Sequence, residues 1–125
     1  MPELPEVEII KRNLTESLLN KTFLSVEVYC DKLRYKIPQN FIETIKNKKV
    51  VNIERIAKYI FVTLDNNNIL VIHLGMTGNF LVNHTDDEII PIKHTHIKFL
   101  MSNFRVIRYI DIRRFGFIII FESGK

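Results

Sequence analysis

From residue 50 onward the chain is a succession of short apolar, β-branched runs divided by turn residues. That succession limits the fold more than any other feature of the sequence. "VVNIERI", "YIFVTL", "ILVIHL", "HIKFLMS", "FRVIRYIDI" and "FGFIIIF" follow one another with connections too short for intervening helices, except between "ILVIHL" and "HIKFLMS". Runs of this length bounded by polar turns read as strands, and neighbours joined by short connections pair antiparallel. "DNNN" after the second run is a turn, because Asp and Asn tolerate positive φ, and Ser102-Asn103 is a hairpin turn. Earlier in the chain "TFLSVEVYC" alternates with an imperfect register, setting Phe23, Val26 and Val28 among polar neighbours.

Ahead of the strands, Leu4, Val7, Ile10, Leu14 and Leu18 recur at three- and four-residue spacing and predict a helix over about residues 5–20. Pro5 fits its first turn, where a missing N–H does no harm. Early acids followed by Lys11 and Arg12 suit the helix dipole. "NFIETIKNK" reads as a second short helix with Phe41, Ile42 and Ile45 on its apolar face. The expected fold class is α+β: an antiparallel β-sandwich of about seven or eight strands with an N-terminal helix and a second short helix.

Composition narrows the setting. A chain of 125 residues fits one domain, and 46% hydrophobic with 26% charged residues is the balance of a folded globular protein rather than a disordered one. The apolar stretch Phe115–Phe121 is too short for a membrane helix, and the acidic start lacks the basic and apolar regions of a signal peptide. An intracellular, cytoplasmic monomer without a membrane partner is expected. Cys30 is the single cysteine, which excludes an intrachain disulfide and a cysteine-based zinc site; it reads as a half-buried strand residue. A net charge of +4 and a pI near 9.3 lean toward an anionic partner.

The start, "MPELPEVE", has two readings. One is helix-entry punctuation. In the other, removal of Met1 turns Pro2 into a free secondary amine, and an N-terminal amine has a pKa near 7.7–8, so part of it is unprotonated at neutral pH. Attack of that nitrogen on a sugar C1′ gives a permanently cationic iminium, which acidifies the C2′ hydrogen and favours loss of the phosphate. Glu3 beside it can move a proton. "HLGMTGNF" breaks the strand pattern with two glycines three apart and sets Met76 at a loop tip, either as a core gap-filler or as a wedge between base steps. In "KHTHIKF", His94 and His96 are expected on one strand face; with Lys93 and Lys98 alongside, a phosphate-contacting edge competes with a metal pair that has no evident third ligand. Arg113 and Arg114 in "DIRRFG" are either a solvated pair or donors to a base edge or phosphate, with Phe115 stacking. Lys58 in "RIAKYIF" is either a snorkelling surface lysine or part of the site.

Taken together and in order, "MPELPEVE", "KY" after an arginine-bearing strand, "HLGMTG", "KHTHIKF" and "DIRRFG" resemble the N-terminal domain of bacterial formamidopyrimidine-DNA glycosylase, over essentially the whole chain. The resemblance implies an N-terminal catalytic domain over residues 1–125, whose partner is damaged double-stranded DNA. It implies a glycosylase and AP lyase that excises oxidised purines through a Schiff base from Pro2, with Glu3 as acid–base, Glu6 holding the site and Lys58 assisting elimination. Met76, Arg113 and Phe115 would fill the space left by the flipped nucleotide, with Arg113 reading the orphaned base; His73 and His94 would contact phosphates. No metal or cofactor is expected within this chain, because the family's helix–two-turn–helix and four-cysteine zinc finger have no counterpart in these residues. Two departures matter. The family's "DPRRFG" has Ile112 in place of proline here, which would loosen a stiff turn. DNA lies in a cleft between the two domains of that family, so these residues supply one wall. A catalytically inactive DNA-binding remnant, and an endonuclease VIII-like domain for oxidised pyrimidines, are the competing expectations; the latter branch usually has glycine at the fourth position, where this chain has Leu4.

Overall fold

The structure, a computed structural model, describes residues 2–84 and 93–122. Met1, whose removal the nucleophile reading requires, lies outside the described residues. Ten elements follow in chain order: helix α1 (Leu4–Leu18), β1 (Phe23–Val28), helix α2 (Phe41–Ile45), β2 (Val50–Ile56), β3 (Tyr59–Leu64), β4 (Ile69–His73), β5 (Gly78–Asn83), β6 (Thr95–Met101), β7 (Val106–Asp111) and β8 (Phe117–Phe121). The strands form two four-stranded sheets, ordered β1-β6-β7-β5 and β2-β3-β4-β8, and every pair is antiparallel. The expected sandwich with two helices is the fold observed.

Alternation sets which side chains meet between the sheets. Ile60, Val62 and Leu64 of β3, Leu70 and Ile72 of β4 and Ile118 of β8 are buried from one side; Phe23, Val26, Ile97, Phe99, Met101, Ile107 and Tyr109 are buried from the other. Helix α1 lays Val7, Leu14 and Leu18 on this core, each such side chain contributing about 1.5–3 kcal/mol. Leu4, placed on the same stripe by spacing, is instead exposed. Ile42 of α2 is likewise exposed, because a one-turn helix buries only Phe41 and Ile45, four apart.

The imperfect alternation of "TFLSVEVYC" is a β-bulge. Phe23 pairs with Met101 and Ser25 with Leu100, so Leu24 is the extra residue and points out. Cys30 lies just past β1, half-buried, rather than within the strand. The Asp65–Asn68 turn sets Asn67 at φ 68, the conformation Asn tolerates. The β6–β7 turn is less ordinary: Phe104 sits there at φ 63 and 69% exposed. A bulky side chain in the left-handed region costs about 1–2 kcal/mol, and this one has little packing to offset it. Phe104→Gly is expected to stabilise the fold by about 0.5–1 kcal/mol after the entropy cost of glycine, read from urea unfolding midpoints; a loss of stability would show that the ring has a partner.

Candidate active site

One end of the sandwich gathers the start of α1, the β2–β3 turn, the β4–β5 loop, the turn before β6 and the β7–β8 loop. Strand register requires this: Tyr59 pairs with His73, His73 with Phe117, Gly78 with Asp111, and Thr95 with Ile110.

At the tip of α1, Pro2 is half-buried and Glu3 is the N-cap. Glu3 and Glu6 form a capping box, in which the Glu3 N–H donates to Glu6 Oε1 at 3.5 Å. Glu6 therefore acts on the helix start itself. Lys58 Nζ stands 3.8 Å from Glu3 Oε2, with the glutamate side chain 72% exposed. Such a solvated pair contributes between about 0 and 1 kcal/mol, so the carboxylate can swing toward other partners.

The two elements carrying this pair are held more firmly by residues that sequence reasoning did not single out. Arg55 Nε donates to Glu8 Oε1 at 2.7 Å, joining β2 to α1, and Arg12 Nε donates to Glu8 Oε2 at 3.0 Å. These guanidinium hydrogen bonds, Arg55 first and Arg12 second, hold the Glu8 carboxyl below its ordinary pKa. Arg55 also donates through Nη1 to the Ala57 carbonyl at 2.9 Å. Ala57 has φ 53, so the two-residue turn that presents Lys58 adopts a conformation rare without glycine, pinned by the arginine before it. The sequence signal was present in "ERIAKY", where an arginine precedes a tight turn.

The second group is organised by Asp111, which is fully buried. Its Oδ1 accepts from the Thr77 hydroxyl at 2.6 Å and the Arg114 N–H at 3.0 Å; its Oδ2 accepts from the Tyr109 hydroxyl and the Gly116 N–H, both at 2.9 Å. Thr77 Oγ1 accepts in turn from the Arg113 N–H at 2.9 Å. The loop lacking the family's proline is thus fixed from both sides although Ile112 is exposed. Burial, with the Asp111 charge second, pushes the Tyr109 hydroxyl pKa strongly upward, so the phenol stays a donor. Main-chain atoms of Asp111 join in: its N–H donates to the His94 carbonyl at 3.2 Å, and its carbonyl accepts from His96 Nε2 at 2.6 Å.

Backbones of the two loops touch. Gly75 has φ 60, and a Cβ there would lie 2.5 Å from the Phe115 carbonyl carbon. A Cβ on Gly116 would lie 2.7 Å from the His73 carbonyl oxygen and collide with the Tyr109 hydroxyl. Met76, Arg113 and Phe115 are therefore exposed on a rigid base, with the Arg113 guanidinium carbon 5.0 Å from the Phe115 ring centre.

His94 and His96 do not share a face. His94 sits before β6 at φ 64, exposed, whereas His96 is buried at an irregularity in the β6–β7 register. Lys98 is also buried, in a central strand 3.8 Å from Glu27, and is no part of a phosphate edge. Among the described residues no three His, Cys, Asp or Glu side chains are grouped to hold a metal, and with Cys30 alone the chain does not fit a four-cysteine zinc centre. Nor is any described helix long and apolar enough to cross a membrane.

His73 links the two groups. Its ring lies 4.9 Å from Tyr59 and stacks on Phe117 at 5.5 Å, and its Nδ1 accepts from the Gly75 N–H at 3.0 Å. That bond puts the proton of the neutral ring on Nε2, leaving a donor. Burial first, then the charges of Arg34 and Lys58, hold its pKa below 6.5.

Comparisons with known proteins identify the family to which this fold belongs. The family model of the formamidopyrimidine-DNA glycosylase N-terminal domain matches residues 1–118, and the chain belongs to that family. The formamidopyrimidine-DNA glycosylase of Rickettsia bellii (strain OSU 85-389) is 39% identical over 98% of this chain and 44% of its own length. A crystal structure of Lactococcus lactis formamidopyrimidine-DNA glycosylase, non-covalently bound to DNA containing an AP site, superposes with a TM-score of 0.85 at 25% identity, over 96% of this chain and 45% of that one. A structure of MutM with DNA containing carbocyclic 8-oxo-G gives 0.86 at 25% identity, over 98% of this chain and 45% of that one. The chain spans about 44% of the length of the curated relative it matches.

Two outcomes test the site's construction. Asp111→Asn replaces a charged acceptor of four bonds by a group that must present an N–H to some of the same donors; a loss on the order of 3 kcal/mol is expected by urea unfolding. In an NMR pH titration, His73 should titrate with a midpoint below 6.5. The unfolded histidine takes up its proton first as the pH falls, so the His73 contribution to stability is present above pH 6.5 and lost as the pH falls through the depressed value.

Proposed function

We propose that this chain supplies the catalytic domain of a DNA repair glycosylase with AP lyase activity, acting on oxidised purines in double-stranded DNA. One observation carries the reading: a proline at the second position, followed by the helix N-cap Glu3 whose carboxylate stands 3.8 Å from Lys58, lies at the same end of the sandwich as an exposed Met, Arg and Phe on loops fixed to one buried carboxylate.

With Met1 removed, the Pro2 nitrogen uses its lone pair to bond C1′ of the flipped nucleotide. The bond from C1′ to the base breaks and the base leaves with that electron pair, while the nitrogen sheds its own proton, which balances the one the base takes up. Opening of the sugar ring places the electrons of the O4′ bond on oxygen, where Glu3 delivers a proton, and leaves an iminium between C1′ and the Pro2 nitrogen. The Glu3 carboxylate, having given up its proton, then takes the acidified C2′ proton; the electrons of that C–H bond form a C2′–C3′ double bond as the C3′–O bond breaks, which expels the 3′ phosphate and cleaves the strand. Lys58 stabilises the departing phosphate as a point charge, and Glu6 keeps the helix start ordered. Amine, carboxylate and ammonium suffice for these steps, so no cofactor within residues 1–125 is invoked.

Flipping the nucleotide costs a few kcal/mol of stacking and pairing. Met76 and Phe115 fill the space left behind, Arg113 reads the base opposite, and His73 Nε2–H and His94 donate to phosphates. Two aligned relatives, solved with AP-site DNA and with 8-oxo-G DNA, support this class of substrate. The work of such an enzyme lies inside the cell, on the chromosome.

The test compares two preparations, one with Met1 removed and one with Met1 retained, on duplex DNA carrying an abasic site in the presence of borohydride. The processed protein should form a covalent adduct and the unprocessed one none. Binding without an adduct in either preparation would favour a DNA-binding domain without catalysis. Incision of duplexes carrying an oxidised pyrimidine, and not of those carrying 8-oxoguanine, would reassign the lesion class.

A further inference from the structure

The segment between β1 and α2 brings a cation to the rim of the site that none of the chemistry above uses. Leu33 and Ile37 are buried and anchor it, while Lys32, Arg34, Tyr35 and Lys36 are exposed. Its backbone is fixed: the Arg34 N–H donates to the Gly116 carbonyl at 3.1 Å and the Ile37 N–H to the Asp31 carbonyl at 3.0 Å. Because β8 is the edge strand of its sheet, Arg34 extends that edge directly beside the loop carrying Arg113 and Phe115.

A chain of ring contacts sets the order of groups along the rim. Tyr59 packs on His73, His73 stacks on Phe117, Phe117 meets Tyr35 edge-on at 5.0 Å, and the Arg34 guanidinium carbon lies 5.7 Å from the Tyr35 ring centre. Lys58, His73 and Arg34 thus follow one another across β3, β4, β8 and the segment beyond. Three interstrand spacings of about 4.8 Å set Lys58 and Arg34 about 14 Å apart. DNA carries one phosphate per about 3.4 Å of helix axis on each strand, so this row matches the charges of several consecutive nucleotides.

The state of Arg34 completes the case. Among the described residues no carboxylate lies in ion-pair range of it, whereas Arg12 and Arg55 are both committed to Glu8. An exposed guanidinium without an acid partner, supported on an aromatic face, is suited to bidentate capture of a phosphate. Its charge is also felt at His73, consistent with a shared rim. We propose that Arg34 clamps a backbone phosphate of the strand engaged at Pro2, next in line after Lys58 and His73. The assignment rests on the DNA-binding reading of the site and adds a contact to it.

Arg34→Gln tests the clamp, because it removes the charge from an exposed position and leaves the backbone bond to Gly116 in place. Binding of a fluorescent duplex carrying a tetrahydrofuran abasic analogue, and of the undamaged duplex, is measured by anisotropy across a salt series. The variant should bind both duplexes about 5–10-fold more weakly near physiological salt, and its slope of log affinity against log salt should be smaller by about 0.9. Arg34→Lys should recover the slope, since it restores the charge without the fork. An unchanged slope in Arg34→Gln, with wild-type protein binding normally, overturns the clamp and leaves the DNA reading intact. Failure of the wild-type protein to bind either duplex overturns both.

Discussion

The hydrogen-bond set of Asp111 is the constraint on which the loop-bearing end of the sandwich depends. One carboxylate, shielded from water, accepts from a side chain of the β4–β5 loop, from two backbone amides of the β7–β8 loop and from Tyr109 beneath them. Its own main-chain groups hold the turn that carries His94 and the ring of His96. A buried ionised carboxylate is costly unless its lone pairs are filled, and here four donors fill them. Segments separated by more than thirty residues are thereby fixed to one another. That matters for the proposed wedge of Met76 and Phe115, because Gly75 packs directly against the Phe115 backbone and so ties the two loops together.

The other half of the site is built on a different balance. Glu8 binds two arginines, and Arg55 spans α1 and the strained turn at Ala57, so the helix tip and Lys58 are placed by a firm contact one turn back from the chemistry. The groups proposed to react are themselves loosely held. Glu3 is largely exposed: beyond the capping box with Glu6 its carboxylate is only within ion-pair distance of Lys58. Firm framing with mobile reacting groups suits a sequence in which one carboxylate serves several proton transfers at one sugar. His73 stands where the halves meet, its tautomer set by the Gly75 amide and its charge suppressed by burial and flanking cations.

Much of this was legible in the sequence for a physical reason: strands with one buried face alternate, and helix faces repeat every three or four residues. The runs from Val50 to Leu64 and from Thr95 to Phe121, and the stripe of α1, follow directly. Strand β5 carried no such signal, because Gly78, Asn79 and Asn83 sit in it and only Gly78 is fully buried. The pairing of His94 with His96 misled because a positive φ and a register irregularity separate them, and neither leaves a mark in composition. Lys98 misled because a strand at the centre of a covered sheet buries both faces. Asp111, Glu8 and Arg55 were missed as a class. The bonds that tie separate elements together, Thr77 to Asp111 and Arg55 to Glu8, span 34 and 47 residues, a distance over which spacing carries no information.

The account stands on a bond between the imino nitrogen of Pro2 and deoxyribose. Mass spectrometry of the peptides from a borohydride-reduced complex with abasic DNA measures that bond most directly. The account predicts the reduced sugar remnant on the N-terminal peptide beginning at Pro2, at its α-nitrogen. A remnant on Lys58 or any other lysine, with the Pro2 peptide unmodified, would contradict it.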